Sequence, residues 1–134
     1  MNLKSKQYYD LTKNVKPHKI LEDFIKLNVM PSNAIDLGCG AGRDTVFLLK
    51  NNWQVTSIDK EDTREYITEQ LSETDLKGFQ FQQQTFDTLK LNNTNLIVAN
   101  FSLHFCNETI FPTLWNKISS SINKDRIFCW QLFG

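Results

Sequence analysis

Gly38, Gly40 and Gly42 occupy alternate positions directly behind the short apolar run AIDL. Two acids flank them: Asp36 inside that run, and Asp59 at the end of the next β-forming stretch, WQVTSID. Glycines in this arrangement let a backbone lie flat against a ligand, because no Cβ intrudes. A phosphate-binding loop is one reading of such a cluster. The dinucleotide fingerprint G-x-G-x-x-G needs a third small residue three positions after the second, so that helix and strand pack closely and the helix N-terminus meets a pyrophosphate. That position holds Arg43. A P-loop needs a Lys-Ser/Thr pair after its glycines, and none follows Gly42. Both phosphate readings weaken together.

Asp59 lies about twenty residues past the first glycine, where a carboxylate can accept both hydroxyls of an unphosphorylated ribose. Asp36, at the tip of the first strand, is placed to help hold a cationic amino group, directly or through water. The ligand with ribose, adenine, an ammonium group and no phosphate is S-adenosylmethionine. Taken singly, each feature has a plainer use: the glycines make a tight strand-to-helix turn, and Asp59 caps the helix of EDTREY. Specificity lies in the pair, on consecutive strand ends. A nicotinamide dehydrogenase is a third alternative, since Asp59 also suits NAD, and Arg43 opposes it.

The elements that position these residues follow from periodicity. Ile20, Leu21, Phe24, Ile25 and Leu27 recur at helical spacing between Pro17 and Asn28, and Pro31 and Asn33 end the pattern. AIDL is a short buried strand, RDTVFLLK a helix stopped by Asn51 and Asn52, WQVTSID a strand, and EDTREYITEQLSE a helix. FQFQQQTF alternates as an edge strand does, with Gln82, Gln83 and Gln84 giving it a polar character. LIVANF has the composition of a strand buried on both faces. Phe111, Leu114, Trp115, Ile118 and Ile122 form the stripe of a further helix, with Pro112 in its first turn, and RIFCWQLF is the fifth strand. Strands and helices in alternation predict right-handed crossovers and a parallel, doubly wound α/β sheet, whose ligands bind beyond the carboxyl ends of the strands.

Composition narrows the partners. The chain has 134 residues, about one domain's worth, with 15 Lys plus Arg against 15 Asp plus Glu. This balance makes no case for nucleic acid or an anionic membrane. A small-molecule partner is expected. Cys39, Cys106 and Cys129 are odd in number, far apart and without a CxxC, so neither a metal site nor a disulfide framework is signalled. The opening MNLKSKQYYD lacks the apolar core of a signal peptide, and no run approaches a membrane span, so a cytoplasmic protein is expected.

AIDLGCGAGRDTVFLL, WQVTSID, FDTL, LIVANFSLHFC, FPTLWNKI and FCWQLFG together resemble the class I S-adenosylmethionine-dependent methyltransferases, particularly the small bacterial tellurite-resistance type. The resemblance runs from about Tyr8 to Gly134 and implies a three-layer Rossmann-like fold, a mostly parallel sheet with helices on both faces. It implies methyl transfer to a small-molecule acceptor by in-line attack on the sulfonium methyl. Gly38, Cys39 and Gly40 would lie along the methionine part of the cofactor, with Gly42 completing the loop. Asp59 would bind ribose, and Lys60 would flank the adenine that Phe86 and Asp87 border. Asn100 would face the methyl group, and Arg43 with Asp44 would orient the loop or form a surface ion pair. A general base is optional; His104 is the candidate, its plainer reading being the start of a helix. His18 reads as a helix-start residue. Tyr8 and Tyr9, placed before the first helix, would belong to a lid or cap over residues 1–30, with packing onto the sheet as the alternative.

The family usually continues past strand five with a helix and two more strands, so residues 1–134 read as one methyltransferase domain truncated after strand five. An uncovered strand-five edge is then expected to favour self-association. A non-catalytic or degenerate S-adenosylmethionine-binding module is the alternative function.

Overall fold

The computed structural model describes residues 3–13, 16–100 and 111–131. In chain order the elements are α1 (Leu3–Thr12), α2 (Lys19–Ile25), β1 (Asn33–Leu37), α3 (Arg43–Lys50), β2 (Gln54–Asp59), α4 (Arg64–Thr68) and α5 (Glu73–Leu76). They continue with β3 (Phe79–Gln83), β4 (Thr94–Asn100), α6 (Phe111–Ser121) and β5 (Ile122–Gln131). The five strands form one parallel sheet in the order β3-β2-β1-β4-β5. β1 therefore sits where the strand order reverses, and the loop leaving its carboxyl end is at the switch point where such sheets bind ligands.

Side-chain alternation divides the core. Leu96 and Val98 of β4, with Ala34 and Val55, pack beneath Leu21 and Phe24 of α2 and Leu48 and Leu49 of α3. Ile97 and Ala99 face the other way, joining Ile35, Leu37 and Ile58 against Leu114 and Ile118 of α6 and Leu89 of the crossover that leads into β4. Leu96, Ile97, Val98 and Ala99 are all fully buried, as a strand covered on both faces requires. Burying one such aliphatic side chain contributes roughly 1.5–3 kcal/mol, so β4 anchors both layers. Among the described residues, no helix is long and apolar enough to cross a membrane.

Three expectations are corrected. The helix read through EDTREYITEQLSE is two: α4 ends at Thr68, and Ser72 opens α5 by accepting from the Asp75 amide while Asp75 accepts from the Ser72 amide. This reciprocal capping box starts a new helix within a uniformly polar run. Tyr8 and Tyr9, expected before the first helix, lie inside one, α1. The tip of α6 also differs from its predicted stripe: Trp115 is 40% exposed, and Ile122 is the first residue of β5.

Candidate functional site

The glycine loop is tied to the neighbouring strand by its own backbone. The amides of Gly38 and Cys39 both donate to the Ile58 carbonyl at 2.8 and 3.1 Å, and the Gly42 amide closes the turn on the Cys39 carbonyl at 2.9 Å. Gly40 and Gly42 have φ of 53° and 88°, left-handed conformations that cost an L-residue with a side chain about 1–2 kcal/mol. The first carbonyl bond of α3 follows at once, from the Val46 amide to Gly42 at 2.8 Å.

Asp59 joins loop to strand. Its Oδ2 accepts from the Gly40 amide at 2.9 Å and its Oδ1 from the Glu61 amide at 3.0 Å. Burial raises its pKa, opposed by those two amides. A carboxylate offers about four lone-pair sites. The Gly40 and Glu61 amides take two, which leaves acceptor capacity for a pair of hydroxyls.

Asp36 lies beneath the loop, only 3% exposed, so a ligand on the surface does not touch it. Thr45 Oγ1 donates to its Oδ2 at 2.6 Å and sits 2.6 Å from Ser57 Oγ. Because Thr45 has one proton and gives it to the carboxylate, Ser57 donates to Thr45. Burial pushes the Asp36 pKa well up, and the nearby Asp44 and Asp59 add to the rise. The same surroundings raise the Cys39 thiol, through burial first and then Asp36 and Asp59. The clustering of Asp36, Asp44 and Asp59 beneath the loop suits a cation better than a phosphate.

One test of Asp36 follows from linkage. Its folded-state pKa lies above the unfolded value, so its contribution to stability is complete below about pH 3.9 and is lost as pH rises through the folded-state value. Asp36→Asn removes that loss. The variant should gain stability relative to the parent between pH 4 and pH 8, read from urea midpoints; an unchanged difference would show the charge to be tolerated at no cost.

The other predicted residues are distributed around this centre. Arg43 turns from the loop, its Nε donating to the Lys16 carbonyl at 2.8 Å. Asp44 takes the His18 amide at 2.9 Å and His18 Nδ1 at 2.7 Å, so the expected Arg43–Asp44 unit instead clasps the segment leading into α2, with His18 at the N-cap of α2. Lys60 is exposed beside Asp59, with its carbonyl accepting from Gln83 Nε2 at 3.0 Å. Phe86 packs partly buried against the α6 side of the core, and Asp87 is exposed, its pKa lowered chiefly by the Thr85 hydroxyl. Asn100 ends β4, its side chain outside the described residues, as is His104.

Sequence reasoning missed how Tyr9 and Glu61 enter the site. The Tyr9 ring is 7% exposed and covers Gly40, where a Cβ would stand 3.6 Å from Cε1. Its hydroxyl pKa is raised by burial and then by Asp59 and Glu61, placing the phenol at the acidic centre. Tyr66 of α4 packs on it with ring centroids 5.6 Å apart. The adjacent pair Tyr8-Tyr9 was the available signal, but α1 has no apolar stripe to reveal which ring turns inward. A cavity of about 480 Å³ lies elsewhere, at the amino ends of β1, β2 and β3, and includes none of the glycine loop.

Known proteins carry this fold. The crystal structure of TehB from Haemophilus influenzae matches with a TM-score of 0.73 at 21% identity, covering 92% of this chain and 44% of that one. A putative S-adenosyl-L-methionine-dependent methyltransferase from Methanococcus maripaludis matches with a TM-score of 0.76 at 18% identity, over 94% of this chain and 61% of that one. The glycopeptide N-methyltransferase MtfA complexed with S-adenosyl-L-homocysteine matches with a TM-score of 0.75 at 14% identity, over 87% and 52%. The chain thus has the Rossmann-like methyltransferase fold and spans about half the length of the first solved structures it matches. No curated protein matches the chain significantly. Residues 1–125 match the family described as tellurite resistance protein TehB, which is nearly all of the sequence, and the chain belongs to that family.

Proposed function

We propose that this chain binds S-adenosylmethionine over the Gly38–Gly42 loop and transfers its methyl group to a small-molecule acceptor. The observation that carries the reading is Asp59, held at the strand end with two acceptor sites left over, next to left-handed glycines and above the buried Asp36. S-adenosylmethionine supplies a sulfonium methyl that is already activated for transfer. The protein's part is orientation and exclusion of water. Asp59 takes the ribose hydroxyls, and the loop leaves room for the methionine chain. The carboxylate of Asp59, at the loop, offsets the ligand's positive groups. Lys60, Phe86 and Asp87 border the adenine, and β4 ends at Asn100 on the methyl side of the site. Likeness to MtfA, solved with S-adenosyl-L-methionine, S-adenosyl-L-homocysteine and sinefungin, supports the cofactor.

α1 is the lid in this reading. It is tied to α4 by Tyr9 against Tyr66 and by Lys13 Nζ to Glu69 at 3.1 Å, a surface pair worth about 0–1 kcal/mol. Movement of this helix would lift Tyr9 from Gly40 to admit a ligand, and its return would cover the ligand.

Calorimetry with S-adenosylmethionine and S-adenosylhomocysteine, beside transfer of labelled methyl to a panel of thiol, amine and oxyanion acceptors, tests the proposal. Binding of both and transfer to at least one acceptor is expected. A folded sample that binds neither overturns the reading, and binding with no transfer leaves a non-catalytic binding module.

A further inference from the structure

The cavity at the amino edge of the sheet has its own origin. β3 is joined to β4 by residues 84–93, ten residues without a helix, where a parallel crossover usually carries one to cover the sheet. The strand register places Thr56 and Gln80 side by side, and Ile58 beside Gln82, on the face that the missing helix would occupy. That face is polar on β3, and Gln82 of the glutamine run belongs to a cavity wall in addition to an edge strand. The cavity holds about 480 Å³, within the range of small-molecule sites.

Its wall is fixed and its charge is one-sided. Gln84 Nε2 donates to Gln82 Oε1 at 2.6 Å, and the Lys90 amide donates to Gln84 Oε1 at 3.0 Å. This chain holds Lys90 at the rim and uses the acceptor of Gln82, leaving the Gln82 NH₂ as a donor. Lys77 lines the same cavity, with Gln54, Gln80 and Asn92, and among the described residues no Asp or Glu lines it. Among the described residues neither Lys77 nor Lys90 has an ion-pair partner. Two lysines and several carboxamides lining one cavity suit an oxyanion.

We propose that this cavity is a second ligand site, for a small phosphate- or carboxylate-bearing molecule. It stands on residues other than those of the methyltransferase reading and does not depend on it. Strands of five residues place the two sheet edges roughly 15 Å apart, so both sites can be filled together.

Amide NMR titration at constant ionic strength tests this, with inorganic phosphate, citrate and adenosine monophosphate as probes. Saturable shifts at Lys77, Gln82, Lys90 and Asn92 are expected with at least one of them, and the responding probe tells phosphate from carboxylate. The double variant Lys77→Gln, Lys90→Gln should weaken that probe about tenfold or more while leaving S-adenosylmethionine affinity unchanged. Lys26→Gln, outside the cavity, should change nothing. Asp59→Ala should leave the anion shifts in place. Absence of saturable shifts with all three probes, or shifts that survive the double variant, overturns the proposal.

Discussion

Asp59→Ala should weaken S-adenosylmethionine binding about 100-fold or more. Hydrogen bonds to a charged group contribute about 1.5–3 kcal/mol each, and two ribose hydroxyls would lose their acceptor. Every 1.4 kcal/mol is about tenfold in affinity. The same change frees the Gly40 and Glu61 amides that the carboxylate now holds, so the loop loses its tie to β2 as well as its ligand contact. Asp59→Asn keeps one acceptor oxygen and should fall between the two, which separates charge from hydrogen bonding. The parent should also bind less tightly on acidification. Because burial raises the Asp59 pKa, that decline sets in above the ordinary carboxylate range. Calorimetry from pH 4 to pH 8 checks both effects. Unchanged affinity in Asp59→Ala would remove the residue from the site, whatever the fate of the fold.

The parts of this molecule legible in the sequence are those where one local signal dominates. α3 spans Arg43–Lys50, as read, because Gly42 and Asn51 bracket a clear apolar period and Asp44 and Lys50 suit the two ends of the helix dipole. β4 was legible because Leu96 to Ala99 have only apolar side chains to offer either face. The glycine loop with Asp59 was legible because spacing alone brings consecutive strand ends together. Other features depend on contacts remote in sequence. Nothing in Arg43-Asp44 says that each will reach back to Lys16 or His18 rather than to the other. Nothing local shows that Tyr9, and not Tyr8, covers Gly40: Tyr8 is 60% exposed and Tyr9 7%. The α4–α5 break was written in Ser72-x-x-Asp75, but charge continuity across the run concealed it. The amino-edge cavity reflects a helix that a short crossover leaves out, a deficit visible only once the strands have been ordered.

Gly42→Ala should destabilise the protein by about 3 kcal/mol, a large share of the roughly 5–15 kcal/mol typical of a domain. A Cβ on Gly42 would meet Ile67 Cγ1 at 2.6 Å, with Cδ1 at 3.2 Å and Cγ2 at 3.3 Å. Ile67 is fully buried among Cys39 and Phe81, so it has little room to turn away. Overpacking of this kind costs about 1–3 kcal/mol, and φ of 88° adds about 1–2 kcal/mol for a residue with a side chain. Gly42 therefore serves α4 packing first, although its spacing alone suggested a place beside the ligand. A double-mutant cycle separates the two uses. Ile67→Ala alone should cost about 2–5 kcal/mol as a cavity. In the double variant the methyl has space, so the combined loss should fall short of the sum by about 1–3 kcal/mol, the remainder being backbone strain. Denaturant melts of the four proteins measure this coupling, and strict additivity would show that Ile67 is not what holds position 42 to glycine. Cofactor affinity should fall in Gly42→Ala and recover in part in the double variant, because α4 also carries Tyr66, on which Tyr9 rests above the loop.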